Sequence, residues 1–161
     1  MPWQRDADTI RLFGGMRDDQ GISRIGWVDV DASDPLQVKA VSEQPAIGLG
    51  APGMFDDNGM ILGDVLEVAE NELRLYYVGF QLVEKAKFLA FSGLAISRDR
   101  GDSFERVQQT PVIDRCPKVP SSVRFILSPR FPMAPTGLGY PAALAGRTSA
   151  AGCFRNMTAG R

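Results

Sequence analysis

Three short stretches hold the residues able to do chemistry. Phe55-Asp-Asp-Asn-Gly59 sets two adjacent carboxylates, Asp56 and Asp57, beside an aromatic ring, and Arg17-Asp18 pairs a guanidinium with another carboxylate. Carboxylates next to an arginine suit recognition of polyhydroxylated ligands, and a pair of carboxylates can do glycosyl chemistry. The same residue types also make plain turns, because Asp and Asn bond to nearby backbone and Gly tolerates positive φ. The third stretch, Ser97-Arg-Asp-Arg-Gly-Asp-Ser-Phe104, has the form Ser-x-Asp-x-Gly-x-x-aromatic. Its spacing is that of a tight hairpin turn rather than of a catalytic group. Asp99 caps backbone N–H groups, Gly101 takes a conformation other residues dislike, and Phe104 packs beneath, with Ser97 opening the motif.

The rest of the composition narrows the chemistry. No histidine occurs, which removes Ser-His-Asp and Cys-His catalysis and any His-ligated metal; carboxylates are the plentiful acid-base groups. Cys116 and Cys153 are too few for a disulfide framework or a zinc site, and no cofactor is expected. A formal net charge of -1 provides no basic field to recruit nucleic acid or anionic membrane. With 44% hydrophobic and 23% charged residues in 161, the chain has the composition of a soluble globular domain, and no apolar run reaches signal-peptide or membrane-span length. A cytoplasmic location is the expectation.

Strands must position these groups. Thr9-Ile-Arg-Leu-Phe13 alternates polar and apolar residues, Gly14 to Gly21 is rich in turn formers, and Ile22 to Val30 resumes the β pattern. Asp31-Ala-Ser-Asp-Pro35 is a second turn, followed by Leu36 to Val41, and Pro45 to Pro52 is a Gly/Pro connector. Then come Ile61 to Val68, Leu73 to Phe80, Phe91 to Ser97 and Ser103 to Val107: four strands that fit one blade of a β-propeller. Leu62, Val65, Leu66, Ala69, Leu73, Tyr76 and Tyr77 also fall near helical spacing, with Asp64 placed to cap. The strict alternation of Leu73, Leu75 and Tyr77 and the turn Ala69-Glu-Asn-Glu72 decide for strands.

Taken in order, Arg11-Leu-Phe, Arg17-Asp18, Ile25-Gly-Trp-Val-Asp-Val-Asp31, Asp34-Pro35, Gly53-Met-Phe-Asp56, Leu75-Tyr-Tyr-Val-Gly79, Gly93-Leu-Ala-Ile-Ser97 and Pro111-Val-Ile-Asp-Arg115 resemble the glycosidase-like five-bladed β-propellers. That superfamily contains glycoside hydrolase families 32, 43, 68 and 130. The resemblance implies an all-β fragment of a five-bladed β-propeller, about one and a half to two blades of antiparallel meander followed by an irregular C-terminal tail. Residues 1–115 would form the partial propeller, with 9–41 an incomplete first blade lacking its first strand and 54–115 the second. In such proteins acidic residues of the innermost strands reach into a funnel where a sugar binds. Asp56 is then the catalytic candidate, with Arg17, Asp18, Phe55 and Asp57 as substrate contacts, while the general acid would come from a later blade. The implied partner is a carbohydrate or glycan, with no nucleic acid and no membrane, and exposed blade edges could pair with other copies. A non-catalytic glycan-binding piece, or a truncated product without function, is the alternative.

A blade takes on the order of 50 residues, so five exceed this chain, which therefore reads as truncated. Residues 116–161 differ in kind: proline recurs, no acidic residue follows Asp114, and Lys118, Arg124, Arg130, Arg147, Arg155 and Arg161 remain. Such a tail could bind nucleic acid if genuine. Shifting the reading back one base permits Glu-Gly at Lys118–Val119, Arg-Ser-Val-His at Val123–Ile126 and Trp-x-Asp-Val-Gly-Gly-Arg-Leu-Leu-Pro-Lys-Tyr-Asp over Gly146–Thr158. Those strings resemble the next blade, and a frameshift near Arg115 is the expectation.

Overall fold

In the computed structural model, residues 1–113 are described. Residues 114–161, including the whole tail, both cysteines and Asp114-Arg115, lie outside the described residues, so the expectations placed on them go no further here. Among the described residues all regular structure is β, in two four-stranded antiparallel meanders. The first runs β1 (Pro2–Gln4), β2 (Thr9–Arg17), β3 (Ser23–Asp31) and β4 (Val38–Val41), and the second β5 (Met60–Ala69), β6 (Glu72–Gln81), β7 (Leu89–Ser97) and β8 (Glu105–Arg106). In each sheet the spatial order is the chain order.

Several strand limits differ from the sequence expectation, two of them at the first hairpin; β4 and β8 are shorter than expected and β7 begins two residues earlier. The first sheet is not short of its opening strand: Pro2-Trp3-Gln4 pairs with Ile10 to Leu12. Proline is tolerated there because β1 is an edge, and Trp3 is buried beneath it at 8% exposure. Likewise β2 does not stop at Phe13 but pairs through Gly14 and Gly15 to Arg17. Gly14 faces Gly26 across the ladder, and Met16 fills the space over Gly26, where a Cβ would meet Met16 Cε at 2.2 Å. The turn shrinks to the residues around Gly21, whose φ is +76°. The β5–β6 stretch is a hairpin, with Ala69 paired to Glu72 and Asn71 at φ +68° making the reversal.

The core lies between the sheets. Phe13, Ile25, Met60, Val65, Leu73, Leu75, Tyr77, Phe91, Ala95 and Phe104 are buried there together with Ala46 and Ile47 of the connector. Each large apolar side chain so buried contributes roughly 1.5–3 kcal/mol. Strand alternation leaves the opposite face of the first sheet apolar as well, and that of the second mixed. Leu12, Val28 and Val41 are cross-strand neighbours on the first sheet, where Val38 and Val41 are more than half exposed. Tyr76 with Leu94, and Arg74 with Ile96, are neighbours on the second.

Candidate functional site

The connector and the turn after it bring Asp56 to the end of the second sheet. Gly53 at φ +89° and the Asp57 carboxylate, which accepts from Gly53 N at 2.8 Å, close a compact turn. Asn58 N donates to Phe80 O, and Phe80 N to Gly59 O, so the turn is pinned to the end of β6. This geometry drives Asp56 inward until it is fully buried. Its Oδ2 accepts from the Tyr77 hydroxyl at 2.9 Å and from Arg106 Nε at 2.8 Å. Arg106, on β8, also donates through Nη2 to the Gly48 carbonyl. Gly79 makes the approach possible, since a Cβ there would lie 2.4 Å from Asp56 Cβ and 2.9 Å from the Phe55 ring. Phe55 is buried and stacks on Tyr77 at 6.0 Å and 21°.

Burial, then the charge and hydrogen bond of Asp56, pushes the Tyr77 phenol well above its ordinary pKa, and Arg106 only partly opposes this. Tyr77 therefore remains a donor. Asp56 and Arg106 form a neutral pair whose partner atoms on Oδ2 are complete. Oδ1 is buried and accepts no hydrogen bond among the described residues; it lies against Gly50, where a Cβ would come within 2.2 Å.

The other candidates from the sequence lie near one another but are engaged elsewhere. A side chain on Gly59 would meet the Ser23 backbone at 3.4 Å and Ile22 at 3.5 Å, so the β2–β3 loop abuts the Asp56 turn. Within that loop Asp18 accepts from Gln20 N, Ile22 N and Arg24 Nε at 2.9–3.0 Å. The hydrogen bond from Arg24 and then that from Ile22 hold its carboxyl below the usual range. Arg17 is exposed and donates to Gly21 O at 3.1 Å. Asp57 caps its turn rather than joining Asp56. Among the described residues no group of His, Cys, Asp and Glu is placed to hold a metal ion.

The Ser97–Phe104 hairpin has the geometry its spacing predicts. Ser97 Oγ accepts from Gly101 N at 2.8 Å, and Asp99 accepts from the Ser103 N–H and hydroxyl. Burial pushes the Asp99 carboxyl up, but the hydrogen bonds from Ser103 and Ser97 outweigh it and hold the group below its ordinary pKa. Phe104 is buried edge-on to Phe13, with ring centroids 5.7 Å apart.

What sequence reasoning missed is the arginine under this hairpin. Arg11 is wholly buried and makes a bidentate pair with Asp29, both contacts 2.7 Å. It reaches across to the second sheet through Asp102 at 2.7 Å and the Arg100 carbonyl at 3.3 Å, and lies 3.6 Å over the Trp27 ring. Arg5 adds a third contact to Asp29, from a second cation, at 2.9 Å. The signal available was Arg11 on an inward β position, opposite Asp29 once the β2–β3 register is known. A separate cleft of about 190 Å³, lined in part by Trp3, Glu67, Glu70 and Arg100, includes none of the predicted ligand contacts.

No family model matches the chain, and no solved structure matches it. Over 120 residues it is 32% identical to an uncharacterized protein of Mycobacterium tuberculosis strain CDC 1551 / Oshkosh, and equally to one of strain ATCC 25618 / H37Rv. The match takes in 74% of this chain and 40% of each relative, so the chain spans less than half the length of the curated relatives it matches. No helix among the described residues is long and apolar enough to cross a membrane.

Proposed function

We propose that this chain is a two-sheet portion of a glycosidase-like five-bladed β-propeller whose full-length form binds or acts on carbohydrate, with Asp56 as its sugar-facing carboxylate. The observation that carries the reading is a matter of proportion. Since 120 residues are 40% of each relative, the relatives have about 300 residues. Two four-stranded sheets fit into the 113 described residues here, and the same spacing over about 300 gives about five. The apolar outward face of the first sheet supports the same reading, because sheets stacked in a ring bury both faces.

Glycosyl transfer to water needs two carboxylates facing each other across the sugar, roughly 5–10 Å apart. Among the described residues Asp56 is held by Tyr77 and Arg106, and Asp57 is turned to its own cap. With Asp56 held by Tyr77 and Arg106 rather than by a second carboxylate, the second reading is glycan binding without catalysis by this chain alone. A glycan array with the wild-type chain and Asp56→Asn tests the assignment: binding to at least one glycan class should fall at least tenfold. Equal binding by the variant would remove Asp56 from the site.

A further inference from the structure

We infer that the cleft between β1 and the β5–β6 turn binds a small zwitterion, an α-amino acid with an apolar side chain, with Arg100 on its carboxylate and Glu70 and Glu67 on its ammonium. The site is separate from Asp56 and does not depend on the carbohydrate reading. β5 rises about 3.3 Å per residue, which puts Glu67 roughly 20 Å along the strand from Met60, where Arg106 makes contact.

The cleft has an apolar floor and a charged rim. Trp3 and Leu73, both buried, form the floor. Its volume of about 190 Å³ equals the share of about six waters, room for a ligand of roughly six to nine non-hydrogen atoms. An apolar floor with a few convergent polar groups above it is the usual make-up of a small-molecule site.

The charges on the rim are committed to different degrees. Arg5 belongs to a closed set in which it and Arg11 face the carboxylates of Asp29 and Asp102. Glu67 is half used, since its Oε2 accepts the Trp3 indole N–H at 3.0 Å and its Oε1 is left over. Among the described residues Glu70 makes no hydrogen bond and no ion pair. Arg100 donates through Nη2 to the Arg5 carbonyl and acts on Asp6 only at a distance. Two carboxylates and one guanidinium therefore remain. A bare cation would meet Arg100, and a bare anion would meet both glutamates; a molecule carrying an ammonium and a carboxylate answers both. Asn71, next to Glu70 in the turn, adds an amide to the rim. Arg100 stands at φ +60°, a conformation that costs an arginine more than it would Asn or Gly. The turn nevertheless carries a long cationic side chain there, and that side chain lines the cleft.

The test is calorimetry on the full chain, with tryptophan fluorescence in parallel because Trp3 lies in the floor. The probes are L-leucine and L-methionine, each with its amide, which lacks the carboxylate, and its N-acetyl form, which lacks the ammonium. At least one amino acid should bind saturably, and both of its blocked forms at least about tenfold more weakly, the loss of one charge-assisted hydrogen bond. Glu70→Gln breaks no contact among the described residues and should weaken binding at least about threefold, a modest factor because the carboxylate is exposed. Arg100→Asn, suited to the positive φ, should do the same. Binding of neither amino acid, an amide or N-acetyl form as tight as its parent, or Glu70→Gln binding like wild type would each overturn the inference. Should Arg100→Asn fail to fold, Glu70→Gln and the blocked forms decide.

Discussion

Arg11→Met removes the side chain that ties the first sheet to the Ser97–Phe104 hairpin. Asp29, 5% exposed, would be left with Arg5 as its remaining cation. Breaking a buried pair by deleting one partner costs about 3–5 kcal/mol, and the surviving Arg5 contact places this case at the lower end. The stack over Trp27 is worth another ~0.5–2 kcal/mol, much of it recovered by methionine packing on the same ring. Asp102 adds little, since its side chain is 46% exposed and exposed pairs contribute ~0–1 kcal/mol. The sum is a loss of about 3 kcal/mol, a large share of the ~5–15 kcal/mol typical of a domain. Urea unfolding followed by tryptophan fluorescence and circular dichroism measures it, with the slope checked for constancy. Arg11→Met/Asp29→Leu should recover most of the loss, because two buried charges removed together leave no unpaired ion. A single variant within 1 kcal/mol of wild type, or a double variant as unstable as the single, would refute the account.

Gly101→Ala should destabilise by more than 1 kcal/mol in the same assay, since φ is +80° and the new Cβ would lie 2.8 Å from Phe13 Cζ. Tyr77→Phe removes one of the two donors on Asp56 Oδ2 and should cost about 1–3 kcal/mol by urea titration; an unchanged midpoint would mean that Arg106 alone satisfies that oxygen. For acid denaturation the sign follows from Asp99, whose folded pKa is depressed. Its contribution is present above the unfolded carboxyl range, near pH 4, and is lost as pH falls through the lower folded value. Asp99→Asn should therefore flatten the acid limb of a stability-versus-pH curve while lowering stability at neutral pH, and an unaltered limb would rule the group out.

Local signals were legible in the sequence and distant ones were not. Leu73, Leu75 and Tyr77 of β6 follow period-2 alternation, and the hairpin at Asp99 is written in consecutive residues, so both could be read directly. The same holds for Asp18, whose turn chemistry is local, although its carboxylate serves Ile22 and Arg24 rather than a ligand. β1 escaped because three residues containing a proline make no periodic pattern; only the pairing with β2 defines it. Arg106 was invisible as the partner of Asp56 because the two are 50 residues apart, and Arg11 meets Asp102 across 91. Burial of a charged residue depends on such encounters, which no window of neighbouring residues contains.

Those two encounters share a physical role. The surfaces joining the sheets are mainly apolar, and apolar contact is non-directional, so it fixes proximity better than register. A buried ion pair has a sharp optimum in distance and angle. Arg11 with Asp29 and Asp102 sets the Ser97–Phe104 hairpin against the first sheet, while Arg106 with Asp56 and Gly48 O sets the connector against β8. We read both as register devices, one bridging the sheets and one fixing the path between them. On this reading the carboxylate of Asp56 is held in place through Oδ2 for a structural reason, by the Tyr77 hydroxyl and the Arg106 guanidinium together.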